Sequence, residues 1–310
     1  MDDQTGVFRP PPRGIGALLD TVFSLYRRNF WLLLAAAAVI QVPYQVLTSL
    51  LQLGFSKEPA SLSQFDGGQL TNGQVHQFLD WSSGSIGLEL LLFLVFVVFL
   101  PLELAAVTTV VTARYQGQAT SLGGAYRLAR NRWLPLVGLA ILFVGLLFAL
   151  GTLVGIVVVA LGFLLGVLGL ILDFVVVVAG IVVYVTISVR LALSVPIVLL
   201  EAPDPWLALR RSWELSRGSG WRVLGFLCLL ALIVGLAGLL AGALAGAISV
   251  ALGGTGQLGG RLLIDLSTLL VGVVATPLYV AGLVLLYFDL LSRREGLGPV
   301  PAAVRPAYQG

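Results

Sequence analysis

Residues 133–190 read WLPLVGLAILFVGLLFALGTLVGIVVVALGFLLGVLGLILDFVVVVAGIVVYVTISVR. Between the tryptophan that opens this stretch and the arginine that closes it, Asp173 is the only charged residue. A helix crosses the ~30 Å hydrocarbon core of a bilayer in roughly 20 residues, so the stretch is too long for one crossing. We expect the chain to turn in the glycine-rich segment 162–169 (GFLLGVLG), and the stretch therefore predicts a transmembrane hairpin.

The composition of the whole chain agrees with this local pattern. Hydrophobic residues make up 58% of the 310 residues and charged residues 11%, a balance that a soluble domain of this size cannot hide in its interior. Apolar segments long enough to cross a bilayer lie at residues 30–53, 86–112, 134–160, 168–190, 222–251 and 262–290. We therefore predict an all-α, polytopic membrane protein in which six transmembrane helices form three hairpins, in one membrane domain spanning residues 1–310.

The distribution of basic residues predicts how the chain is oriented. Of the 18 Lys and Arg residues, only Lys57 and Arg261 fall on one side of the six predicted spans. Basic residues are enriched in cytoplasmic loops, so we expect both termini in the cytoplasm. Arginine greatly outnumbers lysine, which is typical of a GC-rich bacterial genome. The expected location is the bacterial cytoplasmic membrane.

Amphipathic segments precede three of the spans on the predicted cytoplasmic side. In the first, apolar residues recur at helical spacing: Ile15, Leu18, Leu19, Val22, Phe23 and Tyr26. In the second, Ser121 is a predicted N-cap and the apolar stripe is Leu122, Ala125, Tyr126, Ala129 and Trp133. In the third, Asp204 caps a helix that begins with Pro205, and the aligned apolar residues are Trp206, Leu209 and Trp213. We expect these helices to rest in the headgroup region.

The same entry and exit pattern suggests three repeat units, at residues 14–116, 121–200 and 204–296, followed by a flexible C-terminal tail, 297–310. The alternative is that tryptophan and arginine enrichment at membrane boundaries makes any cytoplasmic entry look alike. In either case the boundary residues predict contacts with anionic lipid headgroups. These candidate lipid-interface residues are Arg27, Arg28, Trp31, Arg130, Arg132, Trp133, Arg217, Trp221 and Arg222.

Two charged residues within the predicted spans form a candidate polar pair. Glu103 precedes Arg114 by eleven residues, and Arg190 precedes Glu201 by eleven. If span four continues to Glu201 as one helix, Glu103 and Arg190 lie at the same depth and can form a buried ion pair. Such a pair serves either as a structural clamp or as part of a polar substrate pathway.

A third acid, Asp289, lies four residues before Arg293, a spacing that predicts an ordinary ion pair along one helix.

Three segments resemble a known family. They are residues 18–34 (LLDTVFSLYRRNFWLLL), 208–224 (ALRRSWELSRGSGWRVL) and 285–296 (LLYFDLLSRREG). They are similar to signatures of the glycerophosphoryl diester phosphodiesterase membrane-domain family. The resemblance implies the membrane module alone, because a catalytic phosphodiesterase needs a separate soluble barrel and clustered acidic and histidine ligands. It therefore implies no activity.

The sequence favours a non-catalytic integral membrane module that binds lipid, a partner membrane protein or both, or that forms a homo-oligomer. The alternative is a carrier for a lipid or small amphiphilic molecule. An intramembrane enzyme is the third class, but no nucleophile with a base stands at helical spacing. With one cysteine and one histidine, His76, we expect no metal site and no cofactor. The basic residues follow the membrane topology, so we expect no nucleic-acid binding.

Overall fold

The computed structural model describes residues 14–55, 72–201, 204–252, 254 and 258–295. Within these ranges the chain is helical. The helices, numbered in chain order, are α1 (Ile15–Arg28), α2 (Phe30–Phe55), α3 (Asn72–Tyr115), α4 (Leu122–Asn131), α5 (Trp133–Leu165), α6 (Val167–Leu191), α7 (Ser194–Leu200), α8 (Pro205–Ser216), α9 (Gly220–Ala251) and α10 (Leu258–Glu295). The predicted flexible tail, 297–310, lies outside the described residues.

Six segments are long and apolar enough to cross a bilayer, as the sequence predicts. They are Phe30–Gln52, Ile86–Tyr115, Trp133–Leu165, Leu168–Leu200, Gly220–Ala251 and Leu258–Arg294. The all-α architecture with six spans is confirmed. The helix α3 begins at Asn72, well before the predicted second span, so His76 lies on a helix and is exposed.

The turn of the α5–α6 hairpin falls inside the predicted segment 162–169. Gly166 has φ 54° and ψ −124°, a conformation that costs little only for glycine. Three residues later, a Cβ atom on Gly169 would lie 2.5 Å from the carbonyl oxygen of Leu161 and 3.1 Å from Cα of Gly162. Both neighbours are backbone atoms. The hairpin closes tightly because glycine occupies these two positions.

We predict that Gly169→Ala destabilises the hairpin by about 1 to 3 kcal/mol, because the added methyl group meets backbone that cannot move aside. The measurement is thermal unfolding of the detergent-purified protein, followed by circular dichroism. The control is Gly151→Ala, since a Cβ at Gly151 meets nothing within 4 Å. Equal melting temperatures for the two variants would contradict the tight turn.

The contacts divide the chain into two compact units. Unit 1 comprises Met1–Ala37, Pro101–Leu236 and Val274–Gly310, and unit 2 comprises Ala38–Leu100 and Ala237–Val273, as far as these ranges are described. The predicted single membrane domain, 1–310, and the predicted repeat units 14–116, 121–200 and 204–296 stay predictions. Parts of four long helices, α2, α3, α9 and α10, contribute to both units.

Unit 1 has a buried core built on the second half of α3 and of α10. Between Ala105 and Ala113, and again between Val280 and Ser292, all side chains are buried. Helix α7 is also buried along its whole length, apart from the half-buried Val195. Such all-round burial indicates that these segments are covered by protein on every side, whereas the outer helices of unit 1 keep one apolar face open.

The amphipathic helices cover this core, and their predicted position in the headgroup region stays a prediction. Leu18, Val22 and Leu25 of α1 are buried in the same hydrophobic cluster as Ala125 and Ala129 of α4. The apolar face of each helix is therefore satisfied by protein. The predicted N-caps are confirmed: Ser121 Oγ accepts from the Gly124 N–H at 3.2 Å, and Asp204 Oδ1 accepts from the N–H groups of Trp206 and Leu207.

The predicted apolar stripe of α8 is wrong in part. Leu209 is buried, but Trp206 and Trp213 are 70% and 41% exposed. The buried face carries smaller residues: Ala208, Ser212, Leu215 and Ser216. Small side chains let α8 approach α6 and α7 closely, whereas the two indole rings are left on the outer surface, where amphipathic aromatic rings are favoured at a membrane interface.

Span four is interrupted, which contradicts the continuous helix assumed from Arg190 to Glu201. Helix α6 ends at Leu191 and α7 begins at Ser194. Pro196 explains the break, because its ring clashes with the carbonyl four residues earlier and it has no N–H to donate. The Arg190 carbonyl accepts from Ser212 Oγ at 2.7 Å and Ser216 Oγ at 3.3 Å, and Ser194 Oγ donates to the Leu191 carbonyl at 2.7 Å.

Unit 2 is held by polar contacts as well as apolar packing. Ser49 on α2 donates to Asp265 Oδ2 on α10 at 2.8 Å, and Arg261 Nη2 donates to Gln52 Oε1 at 3.0 Å. The rings of Tyr44 and Phe96 lie 5.6 Å apart. These contacts join α2 to α10 and to α3 within this unit.

Candidate functional site: an arginine cavity between α1 and α2

The junction of α1 and α2 is a helix break at Asn29. The backbone N–H of Asn29 donates to the carbonyls of Leu25 and Tyr26, closing α1, and its own carbonyl accepts from Leu33, opening α2. The first N–H groups of a helix have no partner within that helix, so the start of α2 carries a partial positive charge. This junction is therefore suited to an anion.

A cavity of about 730 Å³ lies at this junction. Three of its lining residues are arginines: Arg27 and Arg28 from the last turn of α1, and Arg114 from the end of α3. The full lining is Tyr26, Arg27, Arg28, Asn29, Phe30, Trp31, Leu32 and Arg114. No acidic side chain lines the cavity, so its charge is strongly positive.

The hydrogen-bonding capacity of these arginines is largely unused. Arg114 donates from Nη2 to the Thr120 carbonyl at 3.3 Å, but its Nε is buried and has no hydrogen-bond partner. Arg27 and Arg28 are exposed, and neither makes an ion pair with another described residue. Buried donors normally have partners, so the Nε of Arg114 marks a place where an acceptor fits.

Tyr26 forms a neutral wall of the cavity. Its hydroxyl donates to the Val274 carbonyl at 2.9 Å, and its ring meets Phe30 edge to face at 5.5 Å. Burial raises the pKa of Tyr26 to about 12. The phenol therefore stays protonated at physiological pH and adds no negative charge beside the arginines.

A smaller cavity of about 400 Å³ shares Arg27 and Arg28 and is also lined by Asp20, Phe23 and Ser24. Asp20 is the one acid of α1, and it lies about two helical turns before the two arginines. The negative charge of Asp20 partly offsets one side of the arginine pair, so an anion is favoured on the Arg114 side.

The predicted lipid-interface residues separate into two groups. Trp31 and Trp221 are 80% and 88% exposed, and Trp133 is also exposed, as are Arg27, Arg28, Arg130 and Arg217. The other two arginines, Arg132 and Arg222, make contacts within the protein, and their contact with lipid stays a prediction. Arg132 Nη1 donates to the Val198 carbonyl at 2.9 Å, and Arg222 Nη2 lies 2.9 Å from Asp289 Oδ2. Both are bound within the protein because buried polar groups nearby need donors.

The candidate ion pair of Glu103 and Arg190 stays a prediction. The Arg190 guanidinium lies 4.5 Å from the centroid of the Trp213 ring, a cation–π contact. Glu103 is buried. Burial raises the pKa of Tyr126, and the negative charge of Glu103 raises it further. Tyr126 itself donates to the Ala36 carbonyl at 2.6 Å.

The arrangement can bind an anion through three guanidinium groups and the first N–H groups of α2. Among the described residues, no group of three or more His, Cys, Asp or Glu is placed to hold a metal ion. The contribution of Arg114 was missed from sequence, since it depends on the end of α3 lying beside the α1–α2 junction.

The six apolar helices define the class: this is an all-α, multi-pass membrane protein. A family model described as Domain of unknown function (DUF7847) matches residues 14–290, and the chain belongs to this family. No curated protein and no solved structure matches the chain.

Proposed function

We propose that this protein is a non-catalytic membrane module that binds the phosphate group of an anionic phospholipid in the arginine cavity. The observation that carries the proposal is the convergence of Arg27, Arg28 and Arg114 on one cavity of about 730 Å³. Guanidinium groups recognise phosphate through paired, charge-assisted hydrogen bonds.

The position of the cavity, at the start of the first apolar span, supports a lipid as the source of the phosphate. The first apolar span begins at Phe30, and both Phe30 and the exposed Trp31 line the cavity. Tryptophan is enriched at the level of the lipid headgroups. A headgroup can therefore reach the arginines while its acyl chains stay beside the apolar surface of the helices.

We expect Arg27→Gln combined with Arg28→Gln to weaken binding of phosphatidylglycerol by roughly thirtyfold. Each basic residue near an anionic headgroup contributes about 1 kcal/mol, so losing two removes about 2 kcal/mol. The measurement is native mass spectrometry of the full chain released from nanodiscs that contain phosphatidylglycerol and phosphatidylcholine, with the retained lipids counted across a concentration series.

The matched control is Arg127→Gln combined with Arg210→Gln. This variant also removes two exposed arginines, but neither lines the cavity. If both double variants lose phosphatidylglycerol equally, general surface charge explains the binding and the cavity does not. Unchanged retention in the Arg27 and Arg28 variant would also overturn the proposal.

A carrier for a lipid or small amphiphile is the alternative function. The interruption between α6 and α7 favours it, because broken helices line substrate sites in many transporters. Here, however, the carbonyls of Arg190 and Leu191 already accept hydrogen bonds from serines of the same chain. Movement of a fluorescent phospholipid across proteoliposomes that contain the protein separates the two functions.

We further propose a bacterial cytoplasmic membrane with both termini in the cytoplasm, on the support of the arginine distribution. The resemblance to the glycerophosphoryl diester phosphodiesterase membrane-domain family stays a prediction, as does a partner membrane protein or a homo-oligomer. None of these is needed for the lipid-binding proposal.

A further inference from the structure

Unit 2 contains a second cavity with a different chemical character. It has a volume of about 330 Å³ and lies between α2 and α3. From α2 it is lined by Tyr44, Thr48 and Gln52, and from α3 by Glu89, Leu92, Phe93 and Phe96. Residues four apart on α2, and three or four apart on α3, share one helix face, so the two helices present these side chains to each other.

Aromatic rings form one wall of this cavity. The Tyr44 and Phe96 rings lie 5.6 Å apart and are inclined by 46°, and Phe93 lines the cavity one turn before Phe96. The face of an aromatic ring carries partial negative charge, and several rings around one space attract an organic cation. A cluster of this kind suits a quaternary or primary ammonium group.

A carboxylate completes the cavity. Glu89 is exposed, and its side chain makes no ion pair or hydrogen bond with another described residue. The nearby acid Asp265 accepts from Ser49, and Arg261 donates to Gln52. Arg261 and Asp265 are four residues apart on α10, so their formal charges cancel locally. The charge of Glu89 is therefore available to a ligand.

We propose that this cavity binds an alkylammonium group between the Glu89 carboxylate and the Tyr44 and Phe96 rings. Two sources share this chemistry: the headgroup of phosphatidylethanolamine, and a small free amine. This ligand is a cation, whereas the ligand proposed for the arginine cavity is an anion, and the two cavities share no residue. The inference goes beyond the proposed function and stands without it.

The position of the cavity along the helices makes a lipid headgroup accessible. Gln52 is the last residue of the first apolar span, and Glu89 lies in the first turn of the second, which begins at Ile86. Both therefore lie at a boundary of the hydrocarbon layer. An ammonium group at this level can reach the carboxylate without entering the apolar interior.

The test uses the full chain in nanodiscs of phosphatidylethanolamine and phosphatidylglycerol, with retained lipid counted by native mass spectrometry and tetramethylammonium chloride added as competitor. We expect Glu89→Gln and Tyr44→Leu each to weaken binding of the ligand by about fivefold, whether that ligand is phosphatidylethanolamine or tetramethylammonium. Tyr44→Phe keeps a ring and should retain binding. Retention of phosphatidylethanolamine that depends on Glu89 identifies the lipid as the source, whereas binding of tetramethylammonium without such retention identifies the small amine.

Two control variants share the chemical changes but lie away from the cavity. Glu214→Gln removes an exposed carboxylate in unit 1, and Phe99→Leu removes an exposed ring of α3 that does not line the cavity. Size-exclusion chromatography and circular dichroism verify that each variant is folded. Equal binding by Glu89→Gln and the unaltered protein, or equal losses in the controls, would overturn the proposal.

Discussion

Replacing Asp289 by asparagine should destabilise the protein by about 3 kcal/mol, the largest effect that we expect from a single change. The Asp289 side chain is 2% exposed and its Oδ2 lies 2.9 Å from both Arg222 Nη2 and Arg293 Nε. Asparagine keeps the shape but leaves two guanidinium groups without their shared counterion. The side chains of Arg222 and Arg293 are 22% and 35% exposed, so water partly screens their charges. The expected loss of stability is therefore at the lower end of the range for buried ion pairs.

The measurement for Asp289→Asn is unfolding by sodium dodecyl sulfate in mixed micelles, followed by circular dichroism. The control is Glu214→Gln, which breaks the exposed pair of Arg210 and Glu214 at 3.1 Å. An exposed helix pair contributes at most about 1 kcal/mol. Comparable losses for Asp289→Asn and Glu214→Gln would show that burial of Asp289 has no energetic effect.

The second large effect is expected at Glu201, just after α7. Its Oε2 accepts from Arg211 Nε at 2.9 Å, and its Oε1 accepts from the Tyr287 hydroxyl at 2.6 Å. Tyr287 is almost completely buried. In Glu201→Leu the phenol loses this acceptor in an apolar environment and Arg211 loses this counterion, so we expect a loss of about 2 to 3 kcal/mol.

Two further variants separate the contributions at Glu201. Glu201→Gln keeps an oxygen acceptor for Tyr287 and should be about half as destabilising as Glu201→Leu, while Tyr287→Phe should cost about 1 kcal/mol. The same detergent unfolding measurement serves for all three. If Glu201→Leu is no more destabilising than Tyr287→Phe, the ion pair with Arg211 contributes nothing.

Features determined by nearby residues could be predicted from the sequence. The six spans, the turn near Gly166 and the caps at Ser121 and Asp204 all follow from hydrophobicity, backbone freedom or side-chain hydrogen bonding within a few residues. The predicted pair of Asp289 and Arg293 is confirmed at 2.9 Å because one helical turn joins them.

Features that depend on packing between distant segments could not be predicted in this way. The contact of Arg222 with Asp289 has no local signal, because the two residues are 67 apart in sequence and Arg222 follows the exposed Trp221. The exposed position of Trp206 likewise depends on which face α8 turns toward the core. The break after Leu191 had a local signal in Pro196, and its importance was missed because the flanking residues are uniformly apolar.

The α5–α6 hairpin has a consequence for the membrane itself. Helix α5 is 33 residues long and carries no charged residue, and Phe163 beside its end is 89% exposed. It rises about 50 Å, whereas the hydrocarbon layer is about 30 Å thick, so an upright helix would leave apolar surface outside it. A tilt of the helix by roughly 50°, or a local thickening of the bilayer, removes this mismatch. The free-energy cost is fractions of a kcal/mol per Å of mismatch. The hairpin thus makes the protein sensitive to bilayer thickness, independently of headgroup charge.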